Sequence, residues 1–292
     1  MSYMRSEGEI LDLILDTARG DDRIRAVILN GSRVNPNAPC DPFQDFDVVY
    51  LVTDMAPFSH NIKWIQRFGE LMILQMPEDM QDPPPNQDGS YSYLMQFSDG
   101  NRIDLGLYPL EELAQLTKDS LTIILLDKDG IIEPLSPAND SNYLPQPPTA
   151  KAFADCCNEF WWVCPYVAKG LWRGEILYAK YFLDHYVRDQ LMKMIVWYAG
   201  QKTQFSKDPG KHGKYLQQYL EPELWERLLG TYSDAGYENT WEALFATGDL
   251  FREAAAQVAA TNNFDYPHGD DQRVSAPLKH IKDLPKDAKE IY

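Results

Sequence analysis

The chain has 292 residues, 44% of them hydrophobic and 12% aromatic, enough to bury one large core or two ordinary ones. Its 44 acidic against 27 basic residues leave a formal charge of −17, a field that repels nucleic acid and anionic lipid and attracts cations. This composition excludes a disordered chain and argues against a polymerase or DNA-binding protein, although acidity also serves plain solubility.

Residues 7–19 place Ile10, Leu11, Ile14, Leu15 and Ala18 at helical spacing, and Gly20 ends that helix. Residues 24–30 read as a strand. A loop carrying Pro36, Pro39 and Pro42 leads to a second strand at 45–53. A short helix at 63–68, a strand at 71–75 and a proline-rich loop at 77–89 follow. Strands at 91–97 and 102–108 flank Ser98-Asp99-Gly100-Asn101, a hairpin signal, and apolar segments recur at 121–126 and 131–135. Past Pro145, Pro147 and Pro148 the pattern turns helical, over 150–172, 175–199, 213–220, 222–229 and 238–260. The expected class is α+β: a mixed-sheet domain over 1–146, a helical-bundle domain over 147–262 and a polar, weakly periodic tail over 263–292.

Cys40, Cys156, Cys157 and Cys164 follow no metal-ligand or redox spacing, and three of them sit in one aromatic-rich helix as small buried hydrophobes. The five histidines show no metal or triad spacing. No apolar run spans a bilayer and the N-terminal stretch is polar, so a reduced cytoplasmic protein is expected.

Chemistry concentrates at three places. Asn30-Gly31-Ser32-Arg33 follows a strand, where glycine lets backbone N–H groups approach an anion; most such pairs are plain turns. Asp45 and Asp47 alternate with Phe46 and Val48, so both acids share one face of the next strand. Two solvated acids at a strand edge would explain that pattern, and so would a magnesium ion between them. Asp104 stands opposite the core face set by Ile103, Leu105 and Leu107, where it needs a partner, a metal or water.

In order and type, Gly31-Ser32, Asp45, Asp47 and Asp104 resemble the motif of the polymerase-beta type nucleotidyltransferase superfamily. Phe43-Gln44-Asp45-Phe46-Asp47, Asp99-Gly100-Asn101, Leu125-Leu126-Asp127-Lys128-Asp129 and Cys156-Cys157-Asn158-Glu159-Phe160-Trp161 further resemble the aminoglycoside 6-adenylyltransferases (streptomycin adenylyltransferases), over residues 4 to 260. The resemblance implies magnesium-dependent transfer of AMP from ATP to a hydroxyl of an aminoglycoside such as streptomycin, with pyrophosphate as leaving group. It implies two magnesium ions held by Asp45, Asp47 and Asp104, with Asp104 able to accept the hydroxyl proton. Gly31, Ser32 and Arg33 would bind the nucleotide, as would Arg188, Lys214 and Tyr232 of the helical domain by analogy; an exposed turn arginine explains Arg33 equally well, Arg188 could instead pair with Asp184, and Lys214 could be a surface residue. The partners implied are ATP and a cationic aminoglycoside, without nucleic acid or membrane.

Asp155, Glu159, Trp162, Tyr166, Lys169 and Arg173 form one helical stripe. Asp155, Glu159 and Trp162 on it suit a sugar bearing ammonium or guanidinium groups, and an ordinary solvated face has the same composition. Two alternatives remain: another acceptor such as a lincosamide, or a nucleotide-binding sensor without turnover.

Overall fold

The alternating apolar residues of the first half become a six-stranded sheet in the computed structural model, which describes residues 3–85 and 88–292. The strands are β1 (Ile24–Asn30), β2 (Phe46–Val52), β3 (Leu71–Gln75), β4 (Tyr91–Phe97), β5 (Arg102–Pro109) and β6 (Thr122–Asp127), in the order β3-β4-β5-β2-β1-β6. Every neighbouring pair is antiparallel except β2 and β5, which run parallel. Of the loop expected at 77–89, Asn86 and Gln87 lie outside the described residues, and Pro77–Asp79 forms a 3-10 turn. The apolar segment 131–135 joins no strand.

Period-two patterning gives the sheet two unlike faces. Val27, Leu29, Phe46, Val48, Tyr50, Ile103 and Leu105 pack with Ile10, Ile14 and Ala18 of helix α1 (Glu7–Arg19). Helix α2 (Ile62–Ile65) adds Trp64 and Ile65 to the same core. On the other face Ala26, Ile28, Val49 and Leu51 form a smaller buried cluster, flanked by Tyr108 and Ile124 and covered by Leu113 and Leu116 of helix α3 (Leu113–Leu116). That thinner cover leaves the end of the second face open to polar side chains.

Local chemistry fixes the ends. Ser6 and Glu9 close a capping box on α1, and Lys128 Nζ donates to the carbonyls of Ala18 (2.7 Å) and Asp21 (2.9 Å) at its far end. Buried Tyr50 donates to the carbonyl of Ile14 at 2.6 Å, pinning β2 to α1.

The chain divides by its contacts into two units, Met1–Asn142 and Tyr143–Tyr292. In the second, Thr149 caps helix α4 (Ala150–Arg173), and Gly174 ends it in the left-handed region at φ 78°. The expected helix 175–199 is three pieces: α5 (Ile176–Tyr181), a π-helical turn Phe182–Val187, and α6 (Arg188–Lys202). The helix expected at 213–220 is absent. Positive φ at Gly210, His212 and Gly213 breaks the chain there into 3-10 turns at Lys211–Gly213 and Leu216–Gln218. Helices α7 (Pro222–Leu229) and α8 (Tyr237–Asn262) form as expected.

The polar tail holds a further helix, α9 (His268–Asp283), packed on α4. Its anchor is a buried ionic network. Asp271 accepts from Arg252 (2.5 and 2.8 Å) and Tyr266 (3.0 Å), and Trp161 donates to Tyr266 Oη (3.1 Å). Apolar periodicity is blind to a helix held by a carboxylate, and α9 also contains Pro277. Cys156, Cys157 and Cys164 are buried as expected, and burial pushes the Cys156 thiol up to about 12. Among the described residues no helix is long and apolar enough to cross a membrane.

The centre of this unit is the stack of Phe160 on Phe251, ring centroids 3.7 Å apart and both fully buried. Phe251→Ala should cost about 3–5 kcal/mol in urea unfolding followed by circular dichroism, the range for truncating a buried phenylalanine. A loss below about 1 kcal/mol would show that the surrounding side chains refill the space.

Candidate active site

Strand pairing lines up four polar residues across the second face of the sheet. Thr122 of β6 lies opposite Asn30 of β1, Asn30 opposite Asp47 of β2, and Asp47 opposite Asp104 of β5. Residues directly opposite one another share a face, so all four side chains stand on one side. Because β1 runs against β2, and β2 and β5 run together, the end of β1 meets the starts of both acidic strands. Asn30 Oδ1 and Thr122 Oγ1 are buried there with no hydrogen-bond partner among the described residues.

Gly31 makes the turn out of β1 at φ 78°. A Cβ at this position would lie 2.1 Å from Asp47 Oδ2, so glycine is required both by its backbone and by the carboxylate beside it. Ser32 and Arg33 complete a 3-10 turn. Arg33 uses its donors on the loop before β2, bonding the carbonyls of Asp45 (3.0 Å) and Gln44 (2.7 Å) while its guanidinium lies 3.6 Å from the Phe46 ring centroid. In this arrangement it holds the backbone that presents Asp45.

Asp45, Asp47 and Asp104 converge as their alternation implies. Burial pushes the Asp47 carboxyl up to about 6, and the neighbouring charges of Asp104 and Asp45 add to it. Asp45 is raised in the same way by burial, against the pull of Arg102. Only burial and neighbouring charges act on the Asp47 carboxylate, with no hydrogen-bond donor to it among the described residues. Arg102 lies across the other two acids. Its Nε and Nη2 bond the two oxygens of Asp104 at 2.8 and 2.7 Å, and its Nη1 lies 3.3 Å from Asp45 Oδ2. Sequence reasoning gives Arg102 no role, although its even spacing from Asp104 already places both on one face.

A hard divalent cation fits this donor set. The groups are carboxylate oxygens in excess of nearby positive charge, and the half-buried Asp47 has no hydrogen-bond donor among the described residues. Asp45, Asp47 and Asp104 are the residues that would hold it.

The helical-unit candidates are placed unevenly. The stripe of α4 faces outward: Trp162 is 65% exposed, Asp155 is exposed and paired with Lys151, and Glu159 is half-buried. Arg188 is buried and committed internally. It donates to Thr231 Oγ1 and the Thr231 carbonyl, both at 2.8 Å, and its guanidinium stacks 3.6 Å from the Tyr232 ring centroid. Its pairing with Asp184 is present at 3.6 Å, leaving Nε without a partner among the described residues. Lys214 is exposed, beside the ring of Tyr215.

A family profile described as streptomycin adenylyltransferase matches residues 4–281, a span that holds Gly31, all three acids and the α4 stripe. The chain belongs to that family. This adenylyltransferase is 46% identical over 271 residues to an aminoglycoside 6-adenylyltransferase of Campylobacter jejuni, covering 92% of this chain and 93% of that one. It is 43% identical over 270 residues to an aminoglycoside 6-adenylyltransferase of Bacillus subtilis, covering 92% and 95%. With one from Staphylococcus aureus the identity is 39% over 267 residues, covering 91% and 95%.

The crowded acids make stability pH-dependent in this enzyme. The Asp47 carboxyl ordinarily titrates near 3.8 and here near 6, so ionising it opposes folding. That cost is absent well below pH 3.8, grows as pH rises and is complete above 6, on the order of 2–3 kcal/mol. Metal-free Asp47→Asn should therefore melt higher than the unaltered protein at pH 7.5, with the gap closing as pH falls to about 4.5. An unchanged gap across that range in calorimetry would refute the assignment. Gly31→Ala should lower stability by about 1–3 kcal/mol by strain at positive φ and collision with Asp47; equal melting temperatures would contradict the close approach.

Proposed function

We propose that this chain transfers AMP from ATP to a hydroxyl of an aminoglycoside, the 6-hydroxyl of streptomycin, releasing pyrophosphate and inactivating the antibiotic. The observation that carries the reading is Asp47 opposite Asp104 on parallel neighbouring strands, beside Asp45 and the Gly31 turn. Family membership supports the acceptor.

Asp45, Asp47 and Asp104 would hold magnesium, two ions in the full complex, which supplies charge neutralisation at the phosphate oxygens. Gly31 permits close approach of backbone N–H groups, and with the Ser32 hydroxyl it cradles the β- and γ-phosphates. Asp104 accepts the proton as the acceptor oxygen bonds to the α-phosphorus, and the bond to the pyrophosphate oxygen breaks. Arg33 keeps Asp45 in place through its loop carbonyls. On the helical unit, Asp155, Glu159 and Trp162 offer carboxylates and an aromatic face to the guanidinium and amino groups of the acceptor. Arg188, Lys214 and Tyr232 are assigned to the nucleotide. Lys214 and Tyr232 are exposed enough to meet it as they stand, and Arg188 acts through the ring it stacks on.

Incubation with streptomycin, ATP and magnesium should yield streptomycin carrying one AMP by mass spectrometry, and chelation should abolish the product. Asp47→Asn and Asp104→Asn, folded by circular dichroism, should each lose on the order of 10³-fold in turnover. A folded Asp47→Asn with undiminished turnover would remove the acids from the chemistry. No adduct across an aminoglycoside panel would remove the acceptor.

A further inference from the structure

Both oxygens of Asp104 accept a hydrogen bond from the fork of Arg102, at 2.8 and 2.7 Å. The same guanidinium reaches Asp45 through its remaining nitrogen. Among the described residues no three acid, histidine or cysteine side chains form a ready cation cage, and the guanidinium of Arg102 bridges two of the three acids. We propose that Arg102 is a displaceable internal counter-cation: it holds Asp104 and Asp45 while the site is empty and swings off them when a divalent cation enters. The inference rests on the reading of these acids as the metal site.

Three features favour displacement over a permanent ion pair. Two guanidiniums, Arg102 and the more distant Arg33, face three carboxylates, and the pairing leaves Asp47 without a hydrogen-bond donor among the described residues, so a divalent ion neutralises what the arginines do not. The Arg102 side chain is 36% exposed, which gives it a route to water. Its backbone opens β5 in register with Gln96 of β4, so side-chain rotation alone clears the acids without disturbing the strand. Like charge then keeps the guanidinium away once the ion is seated.

Electron paramagnetic resonance of Mn2+ added to the full, nucleotide-free chain reads this directly. Arg102→Gln should bind Mn2+ about tenfold or more tightly than the unaltered protein, because a competing cation within ion-pair distance is gone. Arg102→Lys, which cannot fork onto both oxygens, should fall between the two and serves if the glutamine variant does not fold. In the unaltered protein, the Arg102 Nε–H signal in 15N NMR should shift and exchange faster on saturation with Mg2+. Equal or weaker Mn2+ binding by the folded variants, or an Nε–H signal unmoved by Mg2+, overturns the proposal. Failure here with AMP transfer intact condemns only the counter-cation. Tighter binding in the variants without AMP transfer by the unaltered protein condemns only the reaction.

Discussion

Two carboxylates facing each other across a parallel strand pair is the constraint around which the first unit is arranged. Like charges opposite one another destabilise a sheet, and Asp47 and Asp104 are held there by the register of otherwise apolar strands. The apolar run from Val48 to Val52 beside Leu105 and Leu107 fixes that register, since a slip of one residue would turn the core side chains outward. The surroundings answer the repulsion in different ways. Gly31 has no side chain to collide with Asp47, Arg33 anchors the loop that carries Asp45, and Arg102 lends a charge to the other two acids. The fold therefore tolerates a destabilising cluster at one end of a sheet whose opposite face is packed from end to end.

The first unit was readable because its strands obey period two. Each strand expected from the sequence is present within a residue or two, and the acids lie off the core face as their neighbours dictate. The α4 stripe was equally plain: Cys156, Phe160, Val163 and Val167 are buried while Trp162 and Lys169 are not. What escaped the sequence were features that depend on side-chain reach or on backbone handedness. Arg102 has no role in the sequence pattern, because its fork onto Asp104 depends on the reach of its side chain. The bonds of Arg33 to its loop carbonyls depend on reach in the same way. The breaks at 210–213 depend on positive φ at His212 as well as at two glycines, which no apolar pattern reports.

The second unit divides its labour along its helices. Its interior is aromatic and closed, with Phe160, Trp161 and Phe251 at the centre. Its π-helical turn carries a row of rings outside that centre, in which Phe182 stacks between Tyr166 and Tyr186. A π turn inserts one extra residue into a helix and rotates the turns after it, which lets Arg188 turn inward to Thr231 directly past the insertion. Arg188 then acts as a strut under Tyr232, and the tyrosine remains half exposed.

The buried bond from Trp161 to Tyr266 joins residues 105 positions apart, and Asp271 beyond them completes the network. During synthesis α4 therefore emerges with this side of its core uncovered and waits for α9. At ordinary translation rates of about 5–20 residues per second, that interval is on the order of 5–20 s. Throughout it, Trp161 and its neighbours form an apolar surface that other nascent chains can touch. The last helix of the bundle thus governs how long the young protein remains vulnerable to aggregation, independently of how stable the finished fold becomes.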